Sequence, residues 1–218
     1  VVNMAGSAMN LSEAEEKASA IIQAWYPGAR GGKAIADVIF GVKSPSGKLP
    51  VTFYKNLSDI PDFEDYSMRN RTYRYYTGEP LYPFGYGLSY GQCVVNAVSA
   101  ENVYSQEKEF EGIKFSVEIE NKKDMATDDV LQIYIKDTDT EYAVLNPALA
   151  AFKRIHINGN ASDKAEVFVD KRAFTSVDEN GNREITGKNF EFYAGFSQPD
   201  SRSEALTGVK CKEIMCRI

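Results

Sequence analysis

This chain has few side chains of the kinds that enzymes use as nucleophiles and bases. Its 218 residues include one histidine, His156, and three cysteines. His156 stands between two isoleucines in a strand pattern and is predicted to point away from the core, so no Ser-His-Asp or Cys-His set can be assembled around it. No apolar run approaches the ~20 residues that a membrane-spanning helix needs, and we expect no membrane partner.

The cysteines are too few to define a disulfide framework. Cys93, Cys211 and Cys216 are an odd number, and a Cys211–Cys216 pair lacks the two further ligands of a zinc site. We expect free, buried thiols and no metal site, with the redox state left open. Because the chain begins at Val1 with no charged and apolar leader, we expect that a signal peptide has been removed or that the chain is a piece of a longer one. Secreted, periplasmic and cytoplasmic locations all fit.

Basic charge is also scarce. The chain holds 25 Lys and Arg against 31 Asp and Glu, which gives a formal net charge of -6. Proteins that bind nucleic acid neutralise phosphates with clustered Lys and Arg, and no such run is present. The sequence therefore predicts no nucleic-acid partner.

The first 54 residues alternate helix and strand patterns. Ser12 with Glu15 predicts a capping box at a helix start. The apolar run from Ala20 to Trp25 predicts a buried strand, and after the glycine-rich PGARGG the segment KAIADVIFG predicts a helix that stops at Gly41. The inner face of that helix is expected to carry Ala34, Ile35, Val38 and Ile39. A doubly wound sheet needs five or six strands and about three are visible here, so we expect a truncated α/β sandwich segment.

From about Gln92 the pattern changes to period two, which is typical of strands with one buried and one wet face. Apolar residues alternate within 113–119, 131–135, 165–169 and 190–194, and Gln132, Tyr134 and Lys136 are expected on the wet face. Turn signals such as Asn158-Gly159 and Asn180-Gly181 separate these runs. About seven strands in ~120 residues predict an antiparallel, fibronectin-III-like β-sandwich. The fold class is therefore α/β plus all-β.

Between these parts, residues 73–90 read YRYYTGEPLYPFGYGLSY, with six tyrosines, three glycines and two prolines. The segment suits a stacking surface for a ligand, a disordered tract, or an aromatic strap that seals the seam between two domains. Its varied, apolar composition argues against disorder, and its mixed charges argue against nucleic-acid stacking. We therefore predict the strap. The expected organisation is 1–72, the α/β portion; 73–91, the aromatic connector; and 92–218, the sandwich.

One loop is a candidate binding site. PGARGGKA lies between a predicted strand and a predicted helix, but its glycine spacing does not match a phosphate-binding loop. Trp25 stands at the carboxyl end of the predicted strand, where open α/β sheets bind ligands. Trp25 is a candidate to stack on a sugar ring, and Arg30 is a candidate to donate to its hydroxyls. The competing interpretation is that Trp25 packs in a domain seam.

The acidic clusters are predicted to be structural. Asp59, Asp62, Glu64 and Asp65 share one polar loop, which is typical of solvated surface rather than of a paired acid and nucleophile. Asp137, Asp139 and Glu141 form a possible hard-cation set. The loop from Asp178 has its glycine two positions too early for calcium binding, and Asn180-Gly181 fits a hairpin turn better. No residue of this chain is assigned a catalytic role.

Two long motifs carry a family resemblance. AIIQAWYPGARGGKAIADVIFGVKSPSGKLPVTF and RTYRYYTGEPLYPFGYGLSY closely resemble the carboxyl-terminal part of glycoside hydrolase family 3, which includes β-glucosidases and β-xylosidases. The remainder is similar to the fibronectin-type-III-like domain that often follows, although NPALAAFKRIHI matches its motif only loosely. The resemblance implies a (β/α)8 barrel outside this chain that carries the aspartate nucleophile, in cis or in trans. It also implies an acid/base glutamate outside this chain.

The resemblance implies a parent enzyme that hydrolyses terminal β-glycosidic bonds of a β-linked oligosaccharide with retention, without metal or organic cofactor. This chain is then a scaffold that is inactive alone. Two alternatives stay open. One is a carbohydrate- or protein-binding sandwich, for which Tyr134 and Phe168 are scattered aromatic candidates. The other is the non-catalytic subunit of a split glycosidase.

Overall fold

Residues 1–92 form a small α/β arrangement in the computed structural model, which describes all 218 residues. β1 (Val2–Asn3) pairs in parallel with β2 (Ile22–Gln23), and α1 (Ser12–Lys17) lies between them in sequence. α2 (Gly31–Ile39) follows β2, and α3 (Thr72–Tyr75) is a single turn within a long irregular segment. The predicted strand from Ala20 to Trp25 shortens to two residues because its one neighbour, β1, is equally short.

Two details of the helices differ from the sequence prediction. The capping box at Ser12 is absent, since Leu11 occupies the N-cap and Ser12 Oγ instead donates to the Lys55 carbonyl at 3.0 Å. The predicted helix α2 is confirmed and ends before Gly41, whose φ of 71° is left-handed. The predicted inner face is only partly covered, however: Ile35 and Val38 are half-buried, whereas Ala34 and Ile39 are exposed. No helix is long and apolar enough to cross a membrane.

Seven strands of the second part form two antiparallel sheets, as predicted. One sheet has the order β3-β4-β7, with β3 (Cys93–Tyr104), β4 (Phe110–Asn121) and β7 (Ser162–Asp170). The other has the order β11-β10-β5-β6, with β5 (Thr127–Asp137), β6 (Ala148–Ile157), β10 (Asn189–Gly195) and β11 (Lys212–Arg217). A short hairpin of β8 (Ser176–Val177) and β9 (Arg183–Glu184) and helix α4 (Ser201–Thr207) complete the part.

The core lies between these sheets and follows the period-two pattern. Its members come mainly from β4, β5, β7 and β10, and they include Ile113, Phe115, Val117, Ile119, Leu131, Ile133, Ala165, Val167, Val169, Phe190, Phe192 and Ala194. Phe174, from a 3-10 turn after β7, closes one end with its ring centroid 5.0 Å from that of Phe190. The first part has a far smaller core of Leu11, Phe53 and Leu81, with Trp25 packed against it.

The predicted turns are also present. Gly181 has a φ of 83° between β8 and β9, and Asp178 Oδ1 accepts the backbone N–H groups of Asn180 and Asn182. Between β6 and β7, a side chain at Gly159 would clash with the Asp124 carbonyl, so only glycine fits there. The Asn180-Gly181 hairpin explains the acidic loop from Asp178 without a cation.

The three cysteines are free, as predicted. Cys93 is buried, whereas Cys211 and Cys216 are half-buried. Burial raises the pKa of the Cys93 and Cys211 thiols to about 12, so neither is a reactive thiolate near neutral pH.

The tyrosine-rich connector lies on the outer face of β5, and this overturns one prediction. Tyr134 and Gln132 were expected to face water, but Tyr134 is fully buried and Gln132 is 2% exposed. The rings of Tyr73 and Phe84 stack at 4.0 Å and both meet Tyr134 edge-on. Gln132 Nε2 donates to the Gly85 carbonyl at 3.0 Å, and the Tyr134 hydroxyl donates to Gln132 Oε1 at 2.6 Å. Both faces of β5 are therefore covered.

Hydrogen bonds fasten the connector to loops of the sandwich. Asn146 Nδ2 donates to the Tyr73 and Tyr76 carbonyls at 2.8 and 2.9 Å, and the Leu149 N–H donates to the Tyr73 hydroxyl. The Arg202 guanidinium, on α4, donates to the Leu81 carbonyl and to Glu15 of α1. The strap interpretation is thus confirmed for Tyr73 and Phe84, whose rings lie between the two parts, whereas Tyr90 at the end of the connector is 40% exposed.

A buried ion pair crosses the same seam. Lys48 Nζ lies 2.9 Å from Asp129 Oδ1, with side chains only 10% and 5% exposed, and Lys48 also donates to the Gly87 carbonyl at 2.6 Å. Burial raises the pKa of the Asp129 carboxyl, and the Lys48 charge opposes that shift. Each buried charge therefore has the other as its counter-charge.

Removing a stacked ring of the connector is expected to loosen the seam. Phe84→Ala should lower the free energy of unfolding by about 2–3 kcal/mol, because it deletes half-buried aromatic contacts on both Tyr73 and Tyr134. Tyr66→Ala is the control, since that ring is 89% exposed, and it should change stability by less than about 0.5 kcal/mol. Urea unfolding of the two variants measures the difference, and equal midpoints would contradict the strap.

Removing one partner of the ion pair should destabilise the protein more than removing both. Lys48→Met leaves Asp129 buried without a counter-charge and is expected to destabilise by about 3–5 kcal/mol, whereas Lys48→Met with Asp129→Leu should recover most of that loss. Lys33→Met, at an exposed pair with Asp37, is the matched control.

The loss in Lys48→Met should depend on pH. Because the folded pKa of Asp129 lies above its unfolded value, ionisation removes stability as pH rises through the folded pKa. The gap between the wild type and Lys48→Met should therefore be largest near neutral pH and shrink as pH falls toward ~4. Thermal unfolding across this range tests the direction; a gap that widens in acid would contradict it.

Candidate functional site

The carboxyl ends of β1 and β2 meet at one edge, where the sequence placed the candidate binding loop. Asn3 Nδ2 donates to Gln23 Oε1 at 2.6 Å, and Gln23 Nε2 donates to the Ala5 carbonyl at 3.0 Å. Both amides are half-buried and tie the loops that follow the two strands together. Sequence reasoning missed this pair, although polar residues ending the otherwise apolar runs VVN and AIIQ were a usable signal.

Trp25 begins the loop after β2. Its backbone φ is 53°, a left-handed conformation that costs a bulky residue about 1–2 kcal/mol. Its half-buried ring meets Phe53 edge-on, with centroids 6.4 Å apart, and packs against the small core of the first part. The next residue, Tyr26, is 81% exposed, and its ring lies against Gly6 of the loop after β1. The edge therefore carries two aromatic rings, of which the sequence indicated one.

Arg30 ends the same loop, at the N-cap of α2. It is exposed and forms neither an ion pair nor a side-chain capping bond. Trp25 and Arg30 share one loop, and no cation–π contact joins them.

The acidic loop of residues 59–65 is organised by backbone contacts. Asp59, Asp62 and Asp65 each accept a nearby N–H group, at 3.0, 3.0 and 2.8 Å, and the Arg71 side chain donates to several carbonyls of the loop. Hydrogen bonds from Ser67 lower the pKa of Asp65. A general acid needs a raised pKa, so the geometry of this loop fits turn formation rather than proton transfer.

Burial does raise the pKa of three other carboxyls, those of Asp129, Asp137 and Asp200. Asp129 pairs with Lys48, and Asp200 caps α4 by accepting from the backbone and side chain of Ser203. Asp137 accepts the Asp139 N–H at 2.9 Å. Each of these carboxyls therefore has a structural task within the sandwich.

The remaining candidates also have structural partners. Asp139 accepts the N–H groups of Lys188 and Asn189, and no group of three His, Cys, Asp or Glu side chains is arranged to hold a metal ion. His156 is exposed, as predicted, and its Nδ1 lies 2.6 Å from Asp128, which Arg154 also contacts.

Comparison with known proteins identifies the family to which this chain belongs. The model of the glycosyl hydrolase family 3 C-terminal domain matches residues 1–90, and the model of the fibronectin type III-like domain matches residues 129–198. Together the two cover most of the chain, in the order in which the parts occur here.

Characterised relatives point the same way. The chain is 38% identical over 213 residues to a xylan 1,4-beta-xylosidase from Xylanibacter ruminicola, which covers 94% of this chain and 23% of that protein. It is 35% identical over 170 residues to a periplasmic beta-glucosidase from Salmonella typhimurium, which covers 71% of this chain and 22% of that protein. The chain therefore spans less than a quarter of either relative.

The fold agrees with these matches. The crystal structure of a beta-D-glucoside glucohydrolase from Trichoderma reesei superimposes on 100% of this chain and 33% of its own, with a TM-score of 0.83 at 20% identity. At that identity the likeness concerns the fold alone. Family models, relatives and fold lead to one assignment: the chain belongs to glycoside hydrolase family 3, as the carboxyl-terminal part of its α/β domain followed by a fibronectin-type-III-like sandwich.

Proposed function

We propose that this chain is the carboxyl-terminal scaffold of a retaining β-glycosidase that hydrolyses terminal β-glycosidic bonds. Such enzymes place two carboxyl groups about 5 Å apart, one as nucleophile and one as acid/base. We assign both to residues outside this chain, because the buried carboxyls here are committed to an ion pair, a helix cap and a turn. The relatives, named as a xylosidase and a glucosidase, support a β-linked oligosaccharide as substrate.

The observation that carries the proposal is an uncovered apolar surface on residues 1–90. This part holds 16 of the chain's 25 exposed large hydrophobic side chains but only three residues of buried apolar core. Tyr26, Phe40, Phe63 and Tyr66 are each more than 80% exposed. Large apolar side chains left exposed in such number, beside so small a core, favour an interaction surface. We assign it to the remainder of the α/β domain and the (β/α)8 barrel.

The proposed organisation is 1–72 for the α/β portion, 73–91 for the connector and 92–218 for the sandwich. Within it, Trp25 and Arg30 line the outer part of the substrate pocket contributed by the α/β edge. Trp25 supplies a ring face and Arg30 supplies donors for hydroxyls. The connector and the Lys48–Asp129 pair then hold that edge in a fixed orientation on the sandwich.

The alternative of a carbohydrate-binding sandwich face loses its main candidate, since Tyr134 is buried beneath the connector. Phe152 and Phe168 remain exposed, on strands of different sheets. A split glycosidase differs from our proposal only in whether the barrel is joined in cis or supplied in trans.

The scaffold role predicts that this chain is inactive alone but replaces its counterpart in a relative. Purified 218-residue protein should show no hydrolysis of 4-nitrophenyl β-D-xyloside or β-D-glucoside above buffer. A chimera of the Xylanibacter ruminicola xylosidase that carries this chain in place of its matching segment should be active, and a deletion of that segment should not. Turnover by the isolated chain would overturn the proposal, as would an inactive chimera that is folded.

The same chimera tests the predicted pocket residues. Trp25→Ala should raise KM about tenfold, equivalent to about 1.4 kcal/mol of lost binding, whereas Trp25→Phe, which keeps a ring, should have a smaller effect. Arg30→Gln should act in the same direction. Phe168→Ala, on the sandwich, is the control. An unchanged KM in Trp25→Ala would favour the interpretation that this ring only packs in the seam.

A further inference from the structure

One side of the sandwich is open, because the outer strand of each sheet there has a single neighbour. β6 is an outer strand of the four-stranded sheet and β7 is an outer strand of the three-stranded sheet. On the opposite side, where β3 and β11 are the outer strands, Asn102 Nδ2 links the two sheets by donating to the Arg217 carbonyl at 3.0 Å. Outer strands expose unpaired backbone N–H and C=O groups, which can pair with another chain.

β6 has the composition of a strand that pairs readily with another. Residues 148–157 read ALAAFKRIHI, and without Lys153 and Arg154 the run would be apolar apart from His156. Phe152, beside these cations, is 68% exposed. Long, exposed outer strands with apolar side chains and little charge are the ones that associate edge to edge. The two cations in the middle of β6 are therefore the residues that set its behaviour.

The two cations differ in their surroundings. Arg154 forms an ion pair with Asp128 of the neighbouring strand β5, at 2.6 Å. Lys153 has no carboxylate partner. It lies directly opposite Leu131, which is fully buried, so its side chain leaves β6 on the core face and yet is exposed. Its Nζ reaches across the open side and donates to the Glu166 carbonyl of β7 at 3.1 Å.

This placement lets one lysine protect both outer strands. Its charge lies at the free edge of β6, and pairing with another strand would take that charge out of water without a counter-charge. Its ammonium group also occupies a backbone acceptor of β7, the Glu166 carbonyl. A second copy that paired with β6 across a two-fold axis would bring the same cation of both copies together, and like charges on adjacent strands repel.

We propose that Lys153 keeps the open side of the sandwich from pairing with a second copy of this chain. The free edge of β6 is then an interaction surface that a single charge holds closed. This proposal does not depend on the proposed function, since both strands lie within this chain and no turnover is involved. It also concerns a different surface from the exposed apolar side chains of residues 1–90.

Lys153→Val removes the charge and should let β6 pair. Amide hydrogen exchange of the 218-residue protein, followed by mass spectrometry of the β6 peptide at low and high protein concentration, measures this pairing. The fast-exchanging N–H groups of β6 should exchange about tenfold more slowly at high concentration in the variant, and at one rate in the wild type. Lys114→Val is the matched control, because it makes the same change on β4, which has a neighbour on each side. Since only β6 is measured, association through residues 1–90 does not affect the result.

Further variants separate the charge from the fold. Lys153→Gln keeps a donor for the Glu166 carbonyl but has no charge, so its β6 should also gain protection with concentration, whereas Lys153→Arg should behave like the wild type. Thermal unfolding at low concentration checks folding; Lys153→Val should unfold at or above the wild-type midpoint, because an apolar side chain replaces a cation on the core face. Concentration-independent exchange of β6 in both Lys153→Val and Lys153→Gln would overturn the proposal, as would equal protection in Lys114→Val.

Discussion

The covering of β5 on both faces is the constraint on which the rest of the structure depends. Its inner face joins the sandwich core, as its alternating pattern indicates. Its outer face carries Gln132 and Tyr134, which are buried only because Tyr73, Phe84 and Gly85 lie over them. A sandwich without the connector would expose this polar and aromatic stripe, and a connector without the sandwich would have no surface on which to order its rings. The connector and the sandwich therefore need each other to form this arrangement.

Polar groups make that contact specific. Apolar rings alone would let the connector shift along the outer face of β5. One register only is allowed by three polar contacts: the Lys48–Asp129 pair, the Gln132–Gly85 bond and the Asn146 contacts. The first two place a donor or acceptor where water is excluded, so a shifted connector would leave it unpaired. The first part, whose own core is small, gains its orientation from this seam. In the proposed enzyme, that orientation sets where the edge bearing Trp25 faces.

Much of the fold could be predicted from the sequence, for physical reasons. Period-two runs identified the sandwich strands because buried residues such as Phe115 and Phe192 must alternate with solvent-exposed residues. The same rule failed at Tyr134, since alternation cannot reveal that a distant segment covers the second face. The Ser12 capping box failed because Lys55, far along the chain, competes for that hydroxyl. Trp25 was indicated by its place after a strand, whereas the Lys48–Asp129 pair has no local signal, because its two members are distant in sequence.

The contact between Arg202 and Glu15 has a consequence for how the chain is made. These residues are 187 positions apart, and Arg202 also holds the carbonyl of Leu81, a member of the small first core. At about 5–20 residues per second, a ribosome delivers α4 about 10–40 s after α1. Throughout that interval the side of the first part that packs on the sandwich has no partner, so the seam closes late in the synthesis of the chain.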